Sequence, residues 1–450
     1  MMLSYVMGSL PVRKIQGNGV SVDNRIGLAV VDEVLVRNGL PETIGCVAFF
    51  AGDPPAIEEL RARVVERWGG ETRLRLVLEP PLRRLTERPR WALTPSFDPA
   101  KHVRSLTGTA RPNEGDPAQS LDKWLAGQLR EPMPAGLPPW RLLTLPTTPD
   151  SGFALALLAH HALFDGASVG VLLRLLLDGS AKPTLSPTPS SQHQTPRQPI
   201  NWTRLARTLR AELRPGRALP SPREGATSEV SVSVLDQQSL RCARSLPDDA
   251  GATISQLLLC CATGALRSTY NLGNEAAQRG KPPVQAAIPV NLRTRQTAHE
   301  LGNFAASARV PLPLHEPTPH ARLDACRQLL ADVGPQIVGQ REVIRVLETT
   351  HHLRPWTLSF IAARGYSPTY AAVALTALKW RHPRAFLDHR PLLRIAGLPP
   401  LHRPGTANFE AVSYGQTVTL TVVSHAAPGT AQTLADSIHR ELETMAGLTS

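Results

Sequence analysis

The side chains best suited to chemistry lie in one short segment, His160-His161-Ala162-Leu163-Phe164-Asp165-Gly166. The apolar run that precedes it from Phe153 is typical of a buried β-strand, in which successive side chains point to opposite faces. We therefore expect His160 and His161 on opposite faces, one toward the sheet interior and one toward whatever lies across the strand. An imidazole with a pKa of about 6.5 is mostly neutral at pH 7, so a histidine at a strand end is well placed as a general base. Gly166 is expected to give the chain freedom to turn into the next helix.

Other interpretations of the segment remain open on the residues alone. Adjacent histidines often have structural roles. The two histidines and Asp165 are also metal-ligating residue types, although their opposed directions and the absence of further clustered ligands argue against a metal site. The stretch Gly166–Gly170 matches the GxSxG pattern of a nucleophile elbow, which would make Ser168 the nucleophile of a hydrolase with His425 as its base. Nothing in the sequence marks the acid that such a hydrolase also needs.

Strands and helices mix on both sides of this segment. The apolar spacing predicts strands at 44–52, 72–80, 140–145, 153–161, 230–234, 284–290 and 417–423. It predicts helices at 57–68, 120–129, 166–177, 254–270, 319–333 and 433–445. This order predicts an α/β (α+β sandwich) fold with two domains and a cleft between them.

A segment rich in proline, serine, threonine and glutamine divides the chain between Lys182 and Pro199. Its five prolines prevent a regular helix or strand, so an exposed linker is expected. The predicted units are an N-terminal domain at 1–181, the linker with a basic helix at 182–226, and a C-terminal domain at 227–450.

Length, composition and charge narrow the class of protein. The chain of 450 residues exceeds one ordinary domain of about 100–200 residues. A net charge of +12 predicts an anionic partner, whereas an aromatic content of 5% without a basic, aromatic-interleaved motif argues against nucleic acid. The five scattered cysteines form no CxxC pair, so neither a zinc site nor a disulfide framework is expected. Without a long apolar run or a secretory leader pattern, a cytoplasmic protein is expected, with peripheral membrane contact left open.

A basic amphipathic helix is predicted from Trp202 to Arg217. Five arginines project to one side, and one tryptophan and three leucines project to the other: Arg204, Arg207, Arg210, Arg214 and Arg217 against Trp202, Leu205, Leu209 and Leu213. One interpretation is a surface helix docked by its leucines. The other is contact with an anionic membrane or lipid-droplet surface, or with an acidic carrier protein.

The segment HHALFDG matches the HHxxxDG signature of the CoA-dependent acyltransferase superfamily. That group includes chloramphenicol acetyltransferases, peptide-synthetase condensation domains and bacterial wax ester synthase/diacylglycerol acyltransferases, and the surrounding sequence resembles the last of these over roughly residues 44 to 445. Arg90-Trp91, Phe97-Asp98 and His102-Val103-Arg104 resemble the family's W…DFD…HVR stretch. Pro138-Pro139-Trp140 stands where the family has PLW. Residues 288–293, 301–303 and 310–313 resemble its VPVSVR…LGN…VPLP pieces.

The resemblance implies two chloramphenicol-acetyltransferase-like domains with a tunnel at their interface that ends at His161. His161 is then the general base, with His160, Asp165 and Gly166 in supporting roles. Asp165 is expected to turn away from the tunnel and to form a structural ion pair with Arg293.

Three further residues in or near the family's motifs are candidates. Asn303, in the LGN piece, is a candidate for an oxyanion donor or positioning residue, or for capping a turn. Trp140 and Ser168 are substrate-tunnel candidates, with core packing and the start of a helix as the respective alternatives. No metal is implied.

The implied activity is that of an acyltransferase for groups other than aminoacyl. It would transfer an acyl group from acyl-CoA, a co-substrate and not a bound cofactor, to the hydroxyl of a long-chain alcohol or diacylglycerol. Two departures concern the acceptor: Ser255-Gln256 replaces the family's Asn-Asp pair, and Ala306 replaces a serine. They favour an alternative, a specialised-metabolite acyl- or aminoacyltransferase that uses a carrier-protein thioester. A second alternative is a catalytically silent binding module.

Overall fold

The structure is a computed structural model that describes residues 25–79, 87–106, 117–145, 152–179, 199–245, 251–273, 280–350, 355–380 and 384–447. Its strands are β1 (Arg25–Gly27), β2 (Thr43–Phe50), β3 (Leu76–Glu79), β4 (Arg90–Leu93), β5 (Val103–Ser105), β6 (Trp140–Leu145), β7 (Phe153–His160), β8 (Thr227–Val234), β9 (Gln285–Asn291), β10 (Ala305–Pro311), β11 (Val373–Trp380), β12 (Phe386–Leu387), β13 (Arg390–Leu398), β14 (Thr406–Tyr414) and β15 (Thr417–Ala426).

The helices have the bounds α1 (Val30–Arg37), α2 (Ile57–Trp68), α3 (Pro117–Arg130), α4 (Gly166–Leu176), α5 (Trp202–Leu213), α6 (Gln237–Arg244), α7 (Ile254–Thr269), α8 (Pro319–Ala331), α9 (Val333–Thr350), α10 (Pro355–Gly365) and α11 (Thr430–Met445). Among the residues described, no helix combines the length and apolarity needed to cross a bilayer. The predicted linker at 182–199 lies outside these residues except for Pro199, and the division of the chain into 1–181, 182–226 and 227–450 stays a prediction.

Two six-stranded mixed sheets organise the chain. The first has the order β12-β13-β2-β7-β6-β5, and the second has the order β10-β9-β11-β14-β15-β8. Strand β7 lies inside the first sheet between β2 and β6, and its sequence Phe153–His160 is apolar throughout except at its last residue because both of its faces are covered. The mixed α/β architecture predicted from the sequence is confirmed.

Strand β13 belongs to the second half of the chain but pairs with the first sheet. It runs antiparallel to β2, with Ile395 opposite Ala48, and a bulge shifts the register between Leu392 and Arg394. Because β2 is also antiparallel to β7, β13 and β7 run in the same direction. The segment that follows β13 therefore lies at the same end of the sheet as the segment that follows β7.

Three clusters of buried side chains stabilise this arrangement. One lies in the second half, where α7, α8 and α11 cover the second sheet. A second lies on one face of the first sheet under α2 and α4. A third joins the other face of the first sheet to α3 and to Val230 and Val423 of the second sheet, so apolar packing holds the two sheets against each other.

Candidate active site

His161 follows the end of β7 and lines a cavity of about 360 Å³. Its backbone N–H donates to the Glu42 carbonyl over 2.7 Å, and its Nδ1 lies 3.1 Å from the Phe164 carbonyl. A carbonyl only accepts hydrogen bonds, so Nδ1 carries the proton and donates. Nε2 is then the basic nitrogen of the neutral ring, and the tautomer is fixed by the turn that follows the strand.

His160 has a different environment. Its Nδ1 accepts a hydrogen bond from the Ala162 N–H over 3.0 Å. Burial lowers the pKa of His160 to about 4, and the nearby His161 acts in the same direction. His160 therefore stays neutral at pH 7, and its hydrogen bond stabilises the turn that contains His161.

Asp165 forms the predicted ion pair with Arg293, over 2.6 Å, with side chains that are 5% and 2% exposed. The second role of this carboxylate is to cap α4 by accepting from the Ser168 N–H over 2.8 Å. It also accepts from the Phe304 N–H over 2.9 Å. Asp165 thus joins the start of α4 to the segment between β9 and β10, and it is not among the residues lining the cavity.

Ser168 is fully buried and has its hydroxyl in a closed network. The hydroxyl donates to the Gly302 carbonyl over 2.8 Å and accepts from the Gly302 N–H and from Arg293. The positive φ of Gly302, 139°, explains the glycine of the LGN piece, because this backbone conformation is rare for other residues. The geometry contradicts both the hydrolase interpretation and the prediction that Ser168 lines the tunnel.

The remaining predicted residues divide into those at the cavity and those away from it. Trp140 is buried, donates its indole N–H to the Leu74 carbonyl over 2.9 Å and stacks on His102, so it packs the core and does not line the cavity. Gly166 begins α4 without a positive φ, and an added Cβ would approach nothing closer than 4.0 Å, so the expected need for its freedom to turn is wrong.

Asn303 lines the cavity beside His161. Its amide nitrogen donates to the His161 carbonyl over 2.6 Å and to Asp32 over 2.8 Å. Since this nitrogen has two partners already, the amide positions His161 and is not an unengaged oxyanion donor. Its carbonyl oxygen is buried and accepts no hydrogen bond from the described residues.

Asp32 is a charged residue of the site that the motifs did not reveal. It lies on α1, buried, and pairs with Arg73 over 3.2 Å. Burial raises its pKa, while Arg73, Asn303 and His161 act in the opposite direction. No sequence signal marked it, because α1 lies ahead of the stretch in which the family resemblance was found.

His402 and Tyr366 also line the cavity and were missed. Their rings meet edge to face with centroids 5.6 Å apart. Burial lowers the pKa of His402 to about 4, with His161 acting in the same direction, so His402 stays neutral at pH 7. His402 comes from the segment after β13, which the sheet pairing carries to the end of β7.

The cavity itself lies between α1 and strands of the second sheet. Its lining is largely apolar, with a few polar side chains, as in most small-molecule sites: Val31, Val34, Leu35, His161, Ala287, Pro289, Asn303, Ala305, Ala306, Ser307, Gln340, Ile344, Gly365, Tyr366, Tyr370, Ala371, Val373, Ala374, Thr376, Pro399, Pro400, His402, Thr406, Asn408 and Phe409. Within the described part of the chain, no group of three potential ligands could hold a metal ion.

The two departures from the family pattern lie in different places. Gln256 completes a capping box with Thr253 at the start of α7, and neither Ser255 nor Gln256 lines the cavity. Ala306 lines it beside Ser307, so the second departure does alter its wall.

Comparison with known proteins agrees with the sequence motifs. Residues 32–249 match the family model described as the wax ester synthase/diacylglycerol acyltransferase catalytic domain. This range contains His160, His161 and Asp165 but ends before Arg293 and Asn303. The resemblance inferred from the sequence is confirmed for this part of the chain.

Solved structures extend the similarity of fold to nearly the whole chain. The wax ester synthase/diacylglycerol acyltransferase from Marinobacter aquaeolei VT8 matches with a TM-score of 0.62 at 16% identity, over 94% of this chain and 100% of that one. The first condensation domain of the CDA synthetase matches with a TM-score of 0.66 at 14% identity, over 95% and 97%. The starter condensation domain of rhizomide synthetase, in complex with C8-CoA and Leu-SNAC, matches with a TM-score of 0.62 at 13% identity, over 96% of both chains.

Proposed function

We propose that the chain, whose residues 32–249 match the wax ester synthase/diacylglycerol acyltransferase catalytic domain, transfers an acyl group from acyl-CoA to a hydroxyl acceptor. The acceptor class is a long-chain alcohol or diacylglycerol. The observation that carries the proposal is the fixed tautomer of His161, whose basic Nε2 belongs to a ring that lines an apolar cavity.

The proton transfers follow from that tautomer. Nε2 of His161 removes the proton of the acceptor hydroxyl while the oxygen attacks the thioester carbonyl, which forms a tetrahedral intermediate and an imidazolium. Collapse of the intermediate breaks the carbon–sulfur bond, and the CoA thiolate takes the proton back from Nε2. General base catalysis of this kind contributes about 10²–10⁴ in rate.

The polar atoms of the cavity suit a thioester on a pantetheine arm, which carries amide N–H donors. The side-chain oxygens of Asn303 and Asn408 are both buried and accept no hydrogen bond from the described residues. Their amide nitrogens each donate to an oxygen, so the orientation of both amides is defined. Each oxygen is available to accept from a substrate, which offsets the cost of leaving it buried without a partner.

The proposed setting is the cytoplasm. All five cysteines are free thiols, as expected in a reducing compartment. Acyl-CoA acts as a co-substrate in this proposal, and the reaction requires no bound cofactor.

Release of free thiol from a panel of acyl-CoAs tests the proposal. Each acyl-CoA is incubated with a long-chain alcohol, with diacylglycerol or without an acceptor, and the product is identified by mass spectrometry. The proposal expects thiol release that depends on the acceptor, together with an ester product. Thiol release without any acceptor would indicate a thioesterase and would contradict it.

The condensation domains among the structural neighbours favour one second candidate, a transferase that takes its acyl or aminoacyl group from a carrier-protein thioester. The altered cavity wall at Ala306 is compatible with a different acceptor. Intact-protein mass spectrometry of acyl-loaded carrier proteins separates the two candidates. Loss of the acyl mass from a carrier, with no turnover of acyl-CoA, would support the second candidate. If the protein transfers no acyl group from either donor, the remaining interpretation is a binding module without catalytic activity.

A further inference from the structure

Helix α5 carries three of its four large apolar side chains on its outer surface. Trp202 is 68% exposed, Leu213 is 63% exposed and Leu209 is 43% exposed, whereas Leu205 is buried. The spacing of the three exposed side chains places them on one stripe of the helix. The expectation that the leucines dock this helix therefore holds for Leu205 alone.

The inner face of α5 is polar and specifically bonded. Arg204 donates to Glu342 of α9 over 2.8 Å. Glu212 accepts from Gln340 of α9 over 2.6 Å and from the hydroxyl of Tyr370. These contacts fix the rotation of the helix about its axis, so the apolar stripe is held away from the protein.

A second exposed stripe lies on α10. Trp356 is 52% exposed and Phe360, one turn later, is 61% exposed. Arg364, one further turn along, donates to the Leu213 carbonyl of α5 over 2.9 Å. This hydrogen bond brings the ends of α5 and α10 next to each other. We call the exposed apolar side chains of the two helices, Trp202, Leu209, Leu213, Trp356 and Phe360, the outer patch.

Three arginines flank the outer patch on α5. Arg207, Arg210 and Arg214 are exposed, and their guanidinium groups form no ion pair with any residue that the structure describes. Exposed aromatic and leucine side chains beside unpaired arginines are the combination by which interfacial helices bind anionic lipid surfaces. We propose that the outer patch and these three arginines dock the protein on an anionic lipid bilayer.

The docked surface lies next to the cavity. Gly365, the last residue of α10, and Tyr366 line the cavity. Gln340 and Ile344 line it from α9, which is hydrogen-bonded to α5. An apolar acceptor dissolved in the bilayer would then be near the cavity, a consequence that rests on the proposed function. Vesicle binding itself does not depend on acyl transfer, so either proposal can fail without the other.

Co-sedimentation of the full chain with phosphatidylcholine vesicles, with and without phosphatidylglycerol, tests the docking. A basic side chain near an anionic surface strengthens binding about fivefold, so the variant Arg207→Gln/Arg210→Gln/Arg214→Gln is expected to lose on the order of 100-fold in partition coefficient. Its matched control removes the same charge from exposed arginines elsewhere: Arg130→Gln, Arg241→Gln and Arg244→Gln.

A second variant tests the apolar part of the surface. Trp202→Ser/Leu209→Ser/Leu213→Ser is expected to weaken binding to phosphatidylglycerol vesicles at least tenfold, because about 25 cal/mol is lost for each Å² of apolar surface no longer buried. Val65→Ser and Val234→Ser, at exposed sites outside the patch, are the control and should bind as the wild type does.

Three results would overturn the proposal. The first is equal binding to vesicles with and without phosphatidylglycerol, or no binding to either. The second is unchanged binding of the serine variant, which would leave a purely electrostatic site suited to an acidic protein. The third is gel filtration that shows a dimer for the wild type and a monomer for the serine variant. The outer patch would then bind a second copy of the chain.

Discussion

Replacement of Asp165 by alanine should destabilise the fold before it affects the chemistry. The carboxylate accepts from Arg293, from the Phe304 N–H and from the Ser168 N–H. Its loss leaves the buried Arg293 guanidinium without its counter-ion. Removal of one partner from a buried pair costs about 3–5 kcal/mol. The loss of the α4 cap costs up to a further ~0.5–2 kcal/mol. A total of at least about 3 kcal/mol is a large part of the usual ~5–15 kcal/mol of folding free energy.

Equilibrium denaturation in urea measures this loss directly. Glu58→Ala is the control, because Glu58 pairs with Arg61 at 77% exposure and its removal should cost no more than about 1 kcal/mol. Thiol release from acyl-CoA is measured on the same Asp165→Ala preparation without denaturant, at a temperature at which the variant is fully folded. An Asp165→Ala protein with the stability of the wild type but without activity would refute the structural role.

Three further predictions concern groups around the site. Burial raises the pKa of Glu42 from 4.5 to about 8, so its contribution to stability is present below pH 4.5 and is lost as the pH rises through 8. Between pH 6.5 and 8 the unfolding free energy of Glu42→Gln should fall less steeply than that of the wild type, by up to about 1.4 kcal/mol per pH unit. Both proteins carry His160 and His402, so the titration of these histidines cancels in the comparison. Ser168→Ala should lower the free energy of unfolding in urea by about 1–3 kcal/mol, because it removes a buried, hydrogen-bonded hydroxyl. The same burial should prevent the wild-type protein from reacting with a fluorophosphonate, and labelling at Ser168 would contradict this. Asn303→Ala should lower kcat about 10–100-fold, because it releases the His161 carbonyl. It should also raise the KM for acyl-CoA, because the buried side-chain oxygen is the proposed acceptor for the pantetheine arm. A change confined to KM would contradict the positioning role.

The local motif predicted the part of the site that one continuous segment builds. HHALFDG contains a strand end, a turn and a helix cap, so the opposed directions of His160 and His161 follow from strand geometry. The pairing of Asp165 with Arg293 spans 128 positions and came from the family resemblance, not from the residues themselves. The basic helix at 202–213 was also predicted, but its orientation was not, because the polar contacts that rotate it come from α9 and from Tyr370.

The rest of the site depends on strand pairing and helix packing, which the spacing of apolar residues in the sequence does not reveal. Strand β13 resembles any other half-buried strand in sequence, and only its pairing with β2 carries His402 to the end of β7. Asp32 looks like a helix-start acid on α1, and its burial beside Arg73 arises from tertiary packing. Gly166 and Trp140 show the converse: a place in or near a motif did not give either residue a place in the cavity.

The most direct test of the central claim compares His161→Ala with the wild type in acceptor-dependent thiol release from acyl-CoA. His315→Ala is the matched control, since this histidine is exposed and forms no part of the cavity. Loss of the general base should lower kcat by about 10²–10⁴ in His161→Ala, while the control keeps the wild-type rate and both variants keep the wild-type midpoint of urea unfolding. A folded His161→Ala protein that releases thiol at the wild-type rate would contradict the assignment of His161 as the base.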